Sequence, residues 1–337
     1  MIAKKVIVLP LLLSLAGCAP SASTNVVQAS ERSSGPFGMM TVADIKVDTG
    51  AAFKSLDKVA IGSFSVGFAT FKIASAKEGK GGTAARNTLV GVDDATMQAI
   101  TDAAYKSFLA SLQANGYTVV DRAELMANAD FGGTKSYPSP YEDSSGGLLQ
   151  AKNVTRYFAP TGFDGIKFFM GDLPNVMGGF ATNNPTVGAA KYAAATGTKV
   201  LHVIYTLDFA NNTNTTGGVL RLTTTVKMAQ GLTVVPELSK IAVTADQGGL
   251  LATGNGSVTL GQPITSTKDF ATVDNSTSGA DIGAQAAVNV LSVMVGTGLT
   301  QRRDFTFTAR PDDYKLASLD AFEQANTALV NKMVSLK

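Results

Sequence analysis

The chain has 337 residues, 45% of them hydrophobic and 16% charged, with a formal net charge of +2 at pH 7. This composition supplies enough apolar material for one large folded domain or two small ones, and it provides no strong positive field for nucleic acid. With one cysteine and one histidine in 337 residues, an intramolecular disulfide is excluded, and a zinc site built from several cysteine or histidine ligands is not expected.

The first seventeen residues have the order of a secretory signal peptide. Lys4 and Lys5 precede an almost wholly apolar run over 6–15, whose helical rise of about 15 Å is too short for a hydrocarbon core of ~30 Å. The run ends in Leu15-Ala16-Gly17-Cys18, which resembles the lipobox of bacterial lipoproteins. That resemblance implies cleavage before Cys18, a diacylglycerol thioether on its sulfur and acylation of the new amine. An ordinary signal peptide with an incidental cysteine is the alternative.

Three acyl chains on Cys18 would hold the chain permanently at a membrane, whereas a single chain binds only reversibly. The next residue is Ala19 rather than the aspartate associated with inner-membrane retention, so the resemblance implies the outer membrane, on its periplasmic side. Removal of residues 1–17 takes away two lysines and lowers the formal charge from +2 to 0, so we expect no nucleic-acid partner. Residues 18–41, rich in Ser, Ala, Gly and Pro, are predicted to form a flexible tether.

We expect residues 42–337 to form a single domain with a mixed, largely antiparallel sheet. An extended segment is predicted over 58–75, with glycines at 62 and 67 that suggest a bulge, a bend or a close backbone approach, and with a turn or kink near Gly67. The stretch 76–91 is glycine-rich and is interpreted as a loop. A helix then follows, with Asp93 or Asp94 as its cap and Asn115-Gly116 as its end.

The buried stripe of this helix is predicted from three- and four-residue steps. Its members are Met97, Ile100, Ala104, Phe108 and Leu112. A strand over 117–120 completes a right-handed βαβ unit, and a short helix is predicted over 122–129. Residues 131–190 carry few regular signals and are interpreted as a loop-rich insertion, where we would look for a binding surface.

The clearest hairpin begins at residue 200, where apolar and polar residues alternate up to residue 209. Its turn is predicted over 211–218, with a return strand over 220–228. Short strands are predicted over 241–244, 257–260 and 305–308, and a buried helix is favoured over a membrane helix for 279–299.

A second amphipathic helix closes the chain. Its predicted cap is Asp312 or Asp313, and its position is across the sheet. The residues assigned to its buried stripe are Leu316, Leu319, Phe322, Leu329, Met333 and Leu336.

No catalytic, cofactor-binding or metal-binding constellation is evident in the sequence. A Gly-x-Ser-x-Gly motif, a Walker motif and a dinucleotide fingerprint are all absent, and no cofactor is expected. His202 lies within a predicted strand and is interpreted as a hydrogen-bonded structural residue. Glu142 and Asp143 are adjacent carboxylates that an envelope hydrolase could use, provided that they face one cleft with other acids.

The order of these features resembles bacterial outer-membrane lipoproteins of the curli-secretion-channel type and their periplasmic relatives. The resemblance is carried by the lipobox, a strand beginning KVAIGSF, a helix ending QANGYTVVDRAEL, a strand KVLHVIYTLDF and a final amphipathic helix. It covers about a fifth of the chain, over 90–125 and 199–230. It implies a small α/β soluble part and, in the channel members, hairpins that assemble into a transmembrane pore, for which 58–75 could supply one strand.

Three hypotheses follow for function. The leading one is a non-enzymatic, lipid-anchored envelope protein that binds or assembles with other envelope components, itself included. The first alternative is an oligomeric secretion-pore subunit. The second is an envelope hydrolase that uses carboxylates of the 131–190 region.

Overall fold

The computed structural model describes residues 44–78, 81–144, 153–173, 183–216, 223–236, 238–245, 255–276, 294–297 and 301–337. Cys18 and the tether predicted over 18–41 lie outside these residues. Within them, fourteen strands belong to one sheet, accompanied by five α-helices and a short 3-10 helix, Gly50–Phe53.

The strands, in chain order, are β1 (Ile45–Asp48), β2 (Lys58–Glu78), β3 (Gly81–Val90), β4 (Thr118–Val119), β5 (Tyr141–Asp143), β6 (Val154–Phe158), β7 (Lys199–Thr216), β8 (Thr223–Val234), β9 (Lys240–Thr244), β10 (Gly256–Leu260), β11 (Ile264–Thr265), β12 (Ala271–Asn275), β13 (Met294–Thr297) and β14 (Gln301–Ala309). The helices are α1 (Asp94–Ala114), α2 (Arg122–Ala127), α3 (Ala129–Gly132), α4 (Pro185–Thr196) and α5 (Pro311–Leu336).

The main path of the sheet runs β1-β10-β9-β7-β2-β3-β14-β12. Three pairings are parallel, namely β2 with β7, β2 with β4 and β3 with β14, and the others are antiparallel. The predicted fold class, a mixed and largely antiparallel sheet with an N-terminal βαβ unit and a C-terminal helix, is confirmed. The βαβ unit consists of β2, α1 and the short β4, with β3 inserted before the helix.

The strand β2 is longer than predicted. No turn occurs at Gly67, and the strand continues to Glu78. Gly67 instead allows a close approach, because a Cβ there would lie 2.4 Å from the Tyr157 ring. A register shift between Ile61 and Ser63 places a bulge at Gly62, so the residues buried against α1 change from odd to even positions.

The prediction of a glycine-rich loop over 76–91 is wrong in large part, because residues 81–90 form β3. This strand pairs with β2 on one side and runs parallel to β14 on the other. Hydrogen bonds to the preceding strand β2 and to the distant strand β14 satisfy its backbone, and this two-sided pairing overrides the low strand propensity of glycine.

The bounds of the long hairpin also differ from the prediction. The strand β7 continues to Thr216, into the turn predicted over 211–218, and β8 begins at Thr223 and continues past residue 228 to Val234. Leu207 pairs with Val234 and Thr216 with Thr224. Most of the helix favoured over 279–299 lies outside the described residues. Its described part, Met294–Thr297, is a strand rather than a helix.

Helices cover both faces of the central strands. Leu201, Val203 and Tyr205 of β7 belong to the core formed with α1 and α5, whereas Val200 belongs to a second core formed with α2, α3 and α4. Because successive strand residues point to opposite faces, His202 and Ile204 lie on the side of Val200.

The predicted stripe of α1 is confirmed, since all five residues are buried. Asp93 caps this helix by accepting the Thr96 N–H at 2.8 Å, and Gly116 follows it with a φ of 78°. The predicted cap of α5 is wrong, because the helix begins at Pro311 and Asp313 pairs with Arg310 instead.

Candidate functional site

The predicted attachment residue, Cys18, lies outside the described residues. Among the described residues, none of the helices has both the length and the hydropathy that crossing a bilayer requires. In the same part of the chain, no three His, Cys, Asp or Glu side chains are grouped as metal ligands.

The described parts of the 131–190 region partly extend the sheet and partly cover one of its faces. Strands β5 and β6 extend the sheet beside β2, and α4 packs on the second core. Between β6 and α4, the segment 159–173 contributes buried apolar side chains to a third core together with Ile204. The members of that segment in this core are Ala159, Ile166, Phe168 and Leu173.

The two carboxylates proposed for a hydrolase do not converge in this region. Glu142 and Asp143 are consecutive residues of β5, opposite Arg156 and Thr155 of β6. Consecutive residues of a strand point to opposite faces, so the two side chains do not face one cleft. Glu142 is exposed to solvent.

A buried polar cluster does occur where the segment 159–173 meets the sheet. His202 Nε2 lies 3.3 Å from Asp172 Oδ1, and Lys240 Nζ lies 3.0 Å from the same oxygen. The other carboxylate oxygen of Asp172, Oδ2, accepts the Phe169 N–H at 2.7 Å. We call Asp172, His202 and Lys240 the buried triad.

Each member of the buried triad is placed by a different element. His202 lies within β7 between Ser63 of β2 and Ala242 of β9. Lys240 is the first residue of β9, and it also donates to the Gly171 carbonyl at 3.0 Å. Asp172 is brought against both by the end of the 159–173 segment, where Gly171 adopts a φ of 82° that favours glycine.

The prediction that His202 is a structural strand residue agrees with its position, but its predicted hydrogen bond is not present among the described residues. Both ring nitrogens of His202 are buried without a hydrogen-bond partner among those residues. The contact of 3.3 Å between His202 Nε2 and Asp172 Oδ1 therefore has the distance of an ion pair but not the alignment of a hydrogen bond. The imidazole stacks on Phe169 instead, with ring centroids 4.1 Å apart and an interplanar angle of 9°.

Burial alone would raise the pKa of Asp172, but the nearby His202 and Lys240 and the Phe169 N–H lower it. The net pKa lies below the ordinary value for aspartate, so the carboxylate stays ionised at neutral pH. Since neither nitrogen of His202 bonds to a hydroxyl among the described residues, the geometry is that of a buried ion pair rather than of an activated nucleophile.

A second polar cluster lies in the part of the sheet where β2 and β7 separate. Lys72 pairs with Asp208 and donates to the Ala210 carbonyl at 3.2 Å. Asn87, opposite Lys72 in the β2–β3 pairing, is fully buried, and both polar atoms of its amide lack a hydrogen-bond partner among the described residues. Sequence reasoning missed both clusters, because their members come from separate elements that only the fold brings together.

No family model, no curated protein and no solved structure matches the chain.

Proposed function

We propose that the chain is a non-enzymatic, lipid-anchored protein of the bacterial outer membrane, held on its periplasmic side through acylated Cys18, and that it binds or assembles with other envelope components. The observation that carries this proposal is the lipobox Leu15-Ala16-Gly17-Cys18 behind a short apolar run. The divergent positions of Glu142 and Asp143 remove the support that the adjacent carboxylates gave to a hydrolase.

Membrane fractionation of wild type and Cys18→Ser tests the anchor. Wild type is expected to sediment with outer membranes through washes in high salt and in carbonate, and to incorporate radiolabelled palmitate. Cys18→Ser is expected to lose both properties, because two or more acyl chains are what give stable anchoring. A Ser23→Ala variant, changed in the tether region beyond the lipobox, is the matched control and should behave as wild type.

Two results would overturn this proposal: release of wild type by salt or carbonate, or a Cys18→Ser protein that still sediments after the carbonate wash. Assembly is tested separately by chemical crosslinking of the lipidated protein in its own envelope. Crosslinked species that contain a second envelope protein or a second copy of this chain are expected, and an exclusively uncrosslinked monomer contradicts the assembly.

A secretion-pore subunit is the second candidate, favoured by the two long hairpins. Beyond the last β2–β7 pair, Phe68 with Leu207, β2 continues to Glu78 and β7 to Thr216. These extensions have about the length of 9–11 residues that a strand needs to cross a bilayer. This candidate ranks second because β14 pairs with β3 and β13 pairs with β8. Insertion of the two hairpins into a membrane would require β14 and β13 to separate from them.

The pore is tested on the lipidated protein extracted in mild detergent. Ring-shaped oligomers by electron microscopy and stepwise conductance in planar bilayers are the results expected of a pore. A monomer that gives no conductance overturns the pore candidate and leaves the anchor proposal intact, since the latter depends on fractionation alone.

A further inference from the structure

The main path of the sheet ends in two exposed strands, β1 at one end and β12 at the other. Among the described residues, β1 pairs only with β10 and β12 only with β14. Three of the four residues of β1 and four of the five residues of β12 are exposed. Each strand therefore has an outer edge, the side away from its paired neighbour, and such an edge is a template for a further strand.

The backbone of Val47 lies on the outer edge of β1. In an antiparallel pair, a residue directs its N–H and its C=O to the same side, and successive residues alternate. The Gly261 N–H donates to the Asp44 carbonyl at 2.9 Å, in register with the β1–β10 pairs. Even-numbered residues of β1 therefore face β10, and the N–H and C=O of Val47 face outward.

The backbone of Val273 lies in the same way on the outer edge of β12. The Ser276 N–H donates to the Asp304 carbonyl at 2.9 Å, in register with the β12–β14 pairs. At the other end of β12, the Arg310 N–H donates to the Phe270 carbonyl, also at 2.9 Å. Even-numbered residues of β12 therefore face β14, and the N–H and C=O of Val273 face outward.

The side chains of these two valines match in exposure and in face. Val47 is 39% exposed and Val273 is 40% exposed. Val47 lies opposite Val258, and Val273 lies opposite Phe307, both members of the core formed with α1 and α5. A hydrogen-bonded pair of Val47 with Val273 would therefore set the cores of two copies on the same side of the joined sheet.

The charges beside the two valines are complementary. An antiparallel pairing that sets Val47 opposite Val273 also sets Lys46 opposite Asp274 and Asp48 opposite Thr272. Lys46 and Asp274 then form a non-hydrogen-bonded pair, in which the Cα atoms are about 4.5 Å apart and opposite charges stabilise the sheet.

Pairing of each edge with itself fits less well. Two β1 edges with Val47 at the centre pair over only three residues, because Thr49 leaves the strand with a φ of 48°, and they leave β12 uncovered. Two β12 edges with Val273 at the centre set Asp274 opposite Thr272, without a charge pair. The pairing of β1 with β12 uses all four residues of β1 and covers both edges.

We propose that copies of this chain assemble head to tail by strand addition, with β1 of one copy antiparallel to β12 of the next and Val47 opposite Val273. Four paired residues make a weak contact, and confinement of anchored copies to one membrane supplies the effective concentration that a weak contact needs. The inference deepens the proposed assembly by naming its partner as a second copy, and it rests on the anchor at Cys18 for that concentration.

Disulfide crosslinking in the native envelope tests this pairing. Two differently tagged full-length copies, one with Val47→Cys and the other with Val273→Cys, are produced together and oxidised under mild conditions. A hydrogen-bonded antiparallel pair has Cα atoms about 5.5 Å apart, a separation that a disulfide spans. We expect a crosslinked product that contains one copy of each kind.

Two controls accompany this experiment. Val90 is 39% exposed but lies on β3, between β2 and β14, so Val47→Cys with Val90→Cys should give no crosslink. Wild type should also give none, because acylation leaves Cys18 without a free thiol.

A charge exchange tests the register. Lys46→Asp in the Val47→Cys copy, or Asp274→Lys in the Val273→Cys copy, sets like charges opposite each other and should lower the crosslinked yield by about twofold to fivefold. The two changes together restore opposite charges, so the yield should recover. A combined variant that stays as low as either single change contradicts the pairing.

A measurement on wild type guards against variants that fail to fold. Hydrogen exchange of the lipidated protein in phospholipid vesicles is compared at low and high protein density. Peptides covering 45–48 and 271–275 should both gain protection at high density, because the outward N–H groups of Val47 and Val273 become bonded. Peptides covering 241–244, in β9 between two strands, should not change.

Three results overturn the pairing: no crosslink between the two kinds of copy, a crosslink that joins two Val47→Cys copies or joins one to another envelope protein, or edge protection that is independent of density. Each of them leaves the anchor proposal intact if the protein still sediments with membranes after the carbonate wash.

Discussion

Tyr205 joins the central sheet to the C-terminal helix through one buried hydrogen bond. Its hydroxyl donates to Asn326 Oδ1 of α5 at 2.6 Å, and its ring lies between Phe64 and Phe322, with centroids 5.9 and 5.6 Å away. Burial raises the pKa of this tyrosine above its ordinary value, so the hydroxyl remains a donor at every physiological pH.

Removal of that hydroxyl should be costly. Tyr205→Phe leaves the Asn326 amide oxygen buried without its donor, and we expect the free energy of unfolding in urea to fall by about 1–3 kcal/mol. Tyr117→Phe is the matched control. The Tyr117 hydroxyl is buried without a hydrogen-bond partner among the described residues, so its loss should have little effect. Equal destabilisation by both changes would contradict this assignment.

At the scale of elements, α5 shows where a sequence pattern misleads. The predicted stripe contained Leu316, whose surface is 56% exposed, and it omitted three buried alanines. These alanines are Ala317, Ala321 and Ala325. Small residues let the helix lie close to the sheet, which a search for large apolar side chains does not detect.

This difference predicts opposite outcomes for two leucines of the same helix. Leu329→Ala empties a fully buried position and should lower the free energy of unfolding by about 2–5 kcal/mol. Leu316→Ala should change it by no more than about 0.5 kcal/mol. Thermal and urea unfolding of the two variants measure both changes in the free energy of unfolding. A larger change for Leu316→Ala than for Leu329→Ala would mean that α5 is rotated about its axis.

Local signals were sufficient for α1 and for the presence of the β7–β8 pair, though not for where these two strands end. Alternation and capping are properties of neighbouring residues, so the sequence narrowed the cap of α1 to Asp93 or Asp94 and identified Asn115-Gly116 as its end. The strand β3 could not, because its stability comes from β2 and β14, and Gln301 of β14 pairs with Thr83 across more than two hundred positions. The buried triad is missed for the same reason, since His202 meets Asp172 and Lys240 only after three elements have packed.

At the scale of the whole molecule, one sheet is shared by two helical layers. The strands β2 and β7 contribute side chains to the core under α1 and α5 and also to the core under α2, α3 and α4. Neither layer therefore has a sheet of its own, and loss of either exposes apolar residues of the same strands.

This sharing predicts a single cooperative unfolding transition, with coincident curves from far-UV circular dichroism and tyrosine fluorescence. Leu329→Ala in one layer and Phe131→Ala in the other should each move the entire transition to lower urea. A biphasic curve, in which each variant shifts a separate half, would show that the two layers unfold independently.

The parallel pairing of β2 with β7 has a mechanical consequence. Nine paired positions, from Val59 with Lys199 to Phe68 with Leu207, connect the two strands before each enters its own hairpin. A pull along one hairpin axis loads these hydrogen bonds in shear, all at once, rather than one after another as in peeling. The centre of the sheet is thus placed to bear force applied through its hairpins.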